Sequence, residues 1–230
     1  MVNLLANLET IKLRIQTAAD VVGRLEKDIT LLAVSKTRSS KMIREVAQCG
    51  IRSFGENYLQ EALEKMTDLK SLSLDWHFIG PIQSNKTRQI AENFSWVHSV
   101  DRIKIAQRLS TQRPQHMSDL NICMQVNIDN EPTKSGFKID EIISASKKIQ
   151  ALPNIKLCGL MTIPAPQSEL SSQRKSFSKL REILDDINIS LDNSKKLSTL
   201  SMGMSADLES AVYEGATIVR IGTDIFGPRE

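Results

Sequence analysis

Aromatic residues are scarce in this sequence: two tryptophans, two tyrosines and six phenylalanines in 230 residues. Proteins that grip single-stranded nucleic acid stack its bases on aromatic rings along a basic groove. Here the rings are few, and the 30 basic and 27 acidic residues are interspersed, so no stacking platform or strong field forms. Cysteine is equally sparse. Cys49, Cys123 and Cys158 lie far apart in apolar stretches, which speaks against a disulfide framework or a CxxC site and fits buried, reduced thiols. No apolar run approaches the ~20 residues that span a bilayer, and the start "MVNLLANLETIKLR" lacks the basic segment and cleavage site of a signal peptide. The expectation is a cytoplasmic protein with no membrane or nucleic-acid partner. His77, His98 and His116 show no HxH, HxxxH or Cys/His spacing, so metal catalysis is set aside and each histidine is read as an isolated structural residue.

What is present is a repeated unit. After an opening amphipathic segment, residues 1–27, with Leu4, Leu8, Ile11, Ile15, Ala18, Val22 and Leu25 on one face, the chain alternates short apolar runs with helix-period segments. The runs span 29–36, 51–55, 75–80, 95–100, 120–128, 155–163, 196–204 and 217–222. Helices start at Ser40, Asp101, Asp140 and Ser205 by their capping character. Eight near-continuous apolar strands alternating with helices predict an α/β protein, a single (β/α)8 TIM barrel over 1–230 with the N-terminal helix packed on it. A doubly wound open sheet is the fallback, but no GxGxxG follows the first strand.

In such a barrel the chemistry stands at the C-terminal rim of the strands. Strand one ends at Lys36. "SMGMS" and "RIGTDIFG" follow strands seven and eight, where these barrels build phosphate sites: Gly203 and Gly222 admit an anion close to the backbone, and Ser201, Ser205 and Thr223 supply donors. A lysine at a strand end either snorkels to solvent or, desolvated beside a cation such as Arg220, becomes a Schiff-base nucleophile. A phosphate site facing such a lysine suits a sugar phosphate bound as an imine or pyridoxal phosphate (PLP). An arginine facing a pyridine nitrogen is one of the two partners that PLP sites employ.

The stretches "AVSKTR", "FGENYLQEA", "WHFIGPIQSNK", "TKSGF", "GLMTIPAP", "LSMGMSADLESAV" and "VRIGTDIFG" together resemble, in order and spacing, the pyridoxal phosphate homeostasis protein family. The resemblance covers nearly the whole chain. It implies a PLP-dependent fold type III-like barrel, similar to the N-terminal domain of alanine racemases. It also implies that PLP is held as an aldimine on Lys36, with Arg220 at the pyridine nitrogen, Ser201, Gly222 and Thr223 at the phosphate, and Asn57 as a further pocket residue. Two positions depart from the family pattern: Arg38 stands where many relatives carry a second lysine, and Ser39 where proline is frequent. Lys86 and Lys134 are accessory amines or solvated surface lysines.

The chain ends soon after the eighth strand, so the second domain of racemases and decarboxylases is not expected. Tyr58 and Tyr213 have no obvious route to the substrate face. Without a second base, proton transfer on two faces loses a factor of roughly 10²–10⁴. The expected function is therefore a non-catalytic PLP carrier in vitamin B6 and amino acid homeostasis, monomeric, and able to hand PLP to apo-enzymes. The alternatives are a weak racemase-like PLP enzyme and a Schiff-base aldolase on a sugar phosphate.

Overall fold

The computed structural model describes residues 3–131, 133–192 and 195–228. Of the expected single domain, Met1, Val2, Pro132, Asn193, Ser194, Arg229 and Glu230 lie outside the described residues. Eight parallel strands, β1 (Thr30–Val34), β2 (Ser53–Glu56), β3 (Asp75–Phe78), β4 (Trp96–Val100), β5 (Leu120–Gln125), β6 (Ile155–Met161), β7 (Thr199–Ser201) and β8 (Ile218–Ile221), follow one another around a closed barrel. β8 closes onto β1 with Leu32 beside Arg220. Each strand falls within an expected apolar run except β2, which extends one residue past the expected end at 55, to Glu56. The ends of those runs turn out to be rim loops, because beyond the ladder the backbone turns toward the cavity.

Helices α2 (Ser40–Gln48), α3 (Leu59–Asp68), α4 (Thr87–Asn93), α5 (Ile103–Gln112), α6 (Ile142–Gln150), α7 (Leu170–Ile189) and α8 (Leu208–Tyr213) connect successive strands, and the short α9 (Thr223–Phe226) follows β8. Phe54 and Val97, pointing outward from β2 and β4, are fully buried under this layer. That is the two-sided burial expected of parallel strands. The caps fall near the expected residues but not on them. Ser39, not Ser40, caps α2 by accepting from Met42 N at 3.4 Å. Ser205 caps nothing: α8 begins three residues later, after a turn in which Asp207 Oδ1 accepts from Met204 N at 2.6 Å. The turn leaves Ser205 on the rim.

The N-terminal helix α1 (Leu4–Val21) buries Leu4, Leu8, Ile11, Ile15 and Ala18, and packs against α8 and α9. It stops before the expected Val22 and Leu25, which are exposed. Gly23, at φ +67°, turns the chain while Arg24 N donates back to Ala19 O at 2.9 Å, the left-handed stop that suits glycine.

Glycine also marks where strands press together. A Cβ on Gly159 of β6 would sit 1.8 Å from Thr199 O of β7, beside a bulge in the β5–β6 pairing. Only a residue without a side chain fits there.

Candidate active site at the barrel mouth

Successive inward positions on a strand are two residues apart, and that spacing assembles the site. Val34 and Lys36 extend β1, Asn57 follows β2, Ile79 follows β3, and Arg220 and Gly222 stand on and just after β8. With Arg38, Ile163, Met204, Ser205, Ala206 and Thr223 they line a cavity of ≈ 280 Å³ at the C-terminal mouth. Its size lies near the lower end of small-molecule sites, about 300 Å³. Lys36, Asn57, Arg220, Gly222 and Thr223 thus share one cavity. Ser201 is not among its lining residues.

The Ser201 hydroxyl is engaged beneath the mouth. It accepts from Arg220 Nη1 at 2.9 Å and lies 2.7 Å from His98 Nδ1. Arg220 Nη2 donates to Thr162 O at 2.9 Å, and His98 Nε2 lies 2.9 Å from His77 Nδ1. A guanidinium only donates, so Ser201 accepts from Arg220; its hydroxyl can take either role toward His98 Nδ1, and the His98 tautomer sets the direction of the His98–His77 bond. Burial pushes His77 down to about 3, and His98 well below the usual histidine range. Burial also lowers Arg220 to about 10, which leaves it charged at neutral pH. His77 and His98, read from sequence as isolated, are hydrogen-bonded partners. The cause is register: β3 and β4 are adjacent, and both residues point inward.

Asn57 is placed by a glycine. A Cβ on Gly80 would lie 2.2 Å from Asn57 O, so the β3 loop crosses directly over it. Asn57 Oδ1 is buried without a hydrogen-bond partner, an arrangement that costs free energy unless a ligand donates to it. At the opposite side, Arg14 of α1 ties the two rim loops together. Its guanidinium donates to both Glu209 oxygens at 2.7 and 2.9 Å, to Asp224 Oδ2 at 2.8 Å and to Ser205 O at 3.0 Å. Arg38 reaches from the β1 loop to Gly227 O and Pro228 O.

A second cavity, of ≈ 540 Å³, shares Asn57 and is lined by Tyr58, Gln60, Gln83, Lys86, Asp101 and Arg102 among others. Tyr58, the residue just before α3, stands half exposed beside Asn57 and lines this second cavity but not the one that holds Lys36. Tyr213 is remote, packed under the Arg174 guanidinium at 5.5 Å. Lys134 pairs with Glu131 at 2.5 Å and donates to Ile163 O at 3.3 Å. Among the described residues no three His, Cys, Asp or Glu side chains gather as a metal site, and no helix is long and apolar enough to cross a membrane.

Sequence reading missed one cluster outright. Glu56 on β2 is fully buried and Lys65 on α3 nearly so, and they pair at 2.7 Å directly behind Lys36. Burial raises the Glu56 carboxyl above its ordinary range, against the pull of Lys65. The signal was present as a lysine on the apolar face of α3, four residues after Glu61.

Residues 6–230 match the family model described as alanine racemase, N-terminal domain. The chain is 54% identical over 224 residues to the pyridoxal phosphate homeostasis protein of Pseudomonas aeruginosa, covering 97% of this chain and 95% of that one. Among solved structures, PipY of Synechococcus elongatus with PLP bound superposes with a TM-score of 0.82 at 34% identity, covering 93% of this chain and all of that one. An alanine racemase of Clostridium difficile superposes with a TM-score of 0.79 at 16% identity, a likeness of fold alone, with 60% of its chain covered. The chain belongs to the pyridoxal phosphate homeostasis protein family, on the barrel it shares with the N-terminal domain of alanine racemases.

Proposed function

We propose that this protein binds pyridoxal 5'-phosphate and acts in its homeostasis. The observation that carries the reading is that Lys36 and Arg220 line one cavity of small-molecule size. The residues present fit the cofactor. Lys36 supplies the primary amine for covalent attachment, and Arg220 a charged donor for the ring nitrogen. Gly222, Thr223, Ser205 and Ala206 supply backbone and hydroxyl donors for the phosphate, while the orphaned Asn57 Oδ1 takes a donor from the ligand or a water it orders. Bound there, PLP supplies an aldehyde that condenses with amines. Ser201 serves the site through Arg220, whose guanidinium it orients, rather than by touching phosphate.

The protein is a carrier rather than a catalyst in this reading. Among the described lining residues Lys36 is the one amine; the others are apolar, small, amide, hydroxyl or guanidinium groups, and none is a carboxylate, imidazole or phenol. The whole chain, residues 1–230, acts as one PLP-binding domain that includes the 1–27 segment. The apolar face of α1 is buried against its own barrel, which supports a monomer; in this reading it works in the cytoplasm and passes PLP to apo-enzymes.

The test is a visible absorption spectrum of the purified protein with added PLP, before and after borohydride reduction, for wild type and Lys36→Ala. A band that reduction fixes on Lys36, and that the variant lacks, is the expected result. No band at excess PLP refutes the reading. Weak racemase activity is the second reading, favoured by Tyr58 beside Asn57; deuterium loss from α-deuterated alanine that Tyr58→Phe abolishes would establish it.

A further inference from the structure

The residues on either side of Lys36 are held from outside the barrel. Lys65 Nζ donates to Ser35 O at 2.7 Å, to Glu56 Oε1 at 2.7 Å and to Glu61 Oε1 at 2.5 Å. Glu56 Oε1 also accepts from Ser35 Oγ at 2.7 Å. Glu61 Oε1 accepts from Thr37 N at 2.6 Å. The carbonyl before Lys36 and the amide after it are therefore bound to two side chains one helical turn apart on α3, braced by a fully buried carboxylate on β2.

Thr37 shows why such bracing is required. Its φ is +63°, in the left-handed region, and threonine is β-branched, the residue class least suited to it. Strained backbone persists only where the surroundings over-determine it. Here the turn directs Lys36 into the cavity while Thr37 faces solvent. A relaxed Thr37 would rotate the peptide between the two residues and swing the lysine away from the mouth.

We propose that Glu61 and Lys65, braced by Glu56, are positioning residues that hold the Ser35–Thr37 backbone and so fix the direction of the Lys36 amine. Neither α3 residue lines the cavity. The proposal rests on Lys36 as the attachment point for PLP, and its backbone part is measurable without the cofactor.

Glu61→Ala is the informative variant, because it removes the Thr37 acceptor and leaves the buried Lys65–Glu56 pair intact. Lys65→Met strands the buried Glu56 and risks unfolding. Two readouts are taken: hydrogen exchange at the Thr37 amide in the protein without cofactor, and PLP affinity from the borohydride-fixable band. Glu61→Ala is expected to raise the exchange rate and weaken PLP binding, each at least ~10-fold, with folding retained by circular dichroism. Glu61→Gln, which keeps an acceptor, should restore both to within about threefold. Thr37→Gly, which accepts a positive φ without strain, should reduce the effect of Glu61→Ala on PLP affinity to less than threefold. Unchanged exchange or an affinity within twofold of wild type in Glu61→Ala overturns the proposal, as does a loss that neither Gln nor Gly rescues. A wild-type protein without the band sinks the PLP reading instead, and Thr37 exchange alone then decides whether the brace exists.

Discussion

Replacing Arg14 by alanine cuts a side chain that joins the N-terminal helix to both rim loops. The guanidinium makes a bidentate pair with Glu209, at the start of α8, and a further ion pair with Asp224, at the start of α9. Hydrogen bonds to charged groups are worth about 1.5–3 kcal/mol each when buried. These are only partly so: side-chain exposure is 30% for Arg14, 35% for Glu209 and 33% for Asp224. Solvent screening brings each ion pair toward ~1 kcal/mol. After truncation, both carboxylates still lie in the first turn of a helix, where the peptide dipoles favour negative charge. The net loss is then about 2 kcal/mol, or a fall in melting temperature of roughly 4–8 °C for a chain of this size. Arg14 holds the Glu209 carboxyl below its usual range. Stability from this pair is therefore present above the unfolded glutamate pKa and lost as pH falls through the lower folded value. Thermal melts between pH 3 and 8 should show the wild type and Arg14→Ala converging at the acid end. PLP affinity should drop with the loosened Ser205 loop. Equal melting temperatures at pH 7, or a gap that does not narrow in acid, would refute this account.

Gly159→Ala puts a methyl carbon 1.8 Å from Thr199 O in the middle of the β6–β7 pairing; the expected outcome is a loss of well over 4 kcal/mol, seen as insoluble expression. Burial lowers His77 to about 3 and His98 well below the usual histidine range, so both bind fewer protons folded than unfolded below about pH 6.5. Stability should be flat above pH 7 and fall below pH 6.5 by up to about 1.4 kcal/mol per pH unit per histidine, a slope that denaturant titrations of wild type and His77→Phe would resolve.

The barrel was legible because its signal is repetition: eight apolar runs separated by helix-period segments fix strand number and order without any single residue deciding it. The cavity was legible in part for the same reason, since a residue at the end of an inward-facing strand position has nowhere else to point. Lys36, Arg220 and Gly222 are of that kind. Ser201 ends a strand as they do, but its hydroxyl meets Arg220 and His98 and it is not among the residues lining the cavity. The Glu56–Lys65 pair could not be anticipated from strand alternation. Glu56 lies one residue past the expected end of strand two and so reads as a loop residue, and only three-dimensional packing says which helix residue meets it.

The depth of Arg220 bears on what the site does with a bound cofactor. Its hydrogen bonds go to neutral acceptors, Ser201 Oγ and Thr162 O, and behind Ser201 stand two neutral imidazoles. Among the described residues no carboxylate forms an ion pair with it, so its charge is left to attract an anionic ligand at the mouth. Even lowered to about 10, the guanidinium keeps its proton at physiological pH. In the proposed reading, a ring nitrogen facing it would only accept from its N–H groups and would stay unprotonated. A ring in that state withdraws electrons weakly. In that reading, with Arg220 facing the ring nitrogen, a fixed donor there would favour holding PLP over carbanion chemistry, for a reason independent of the second base.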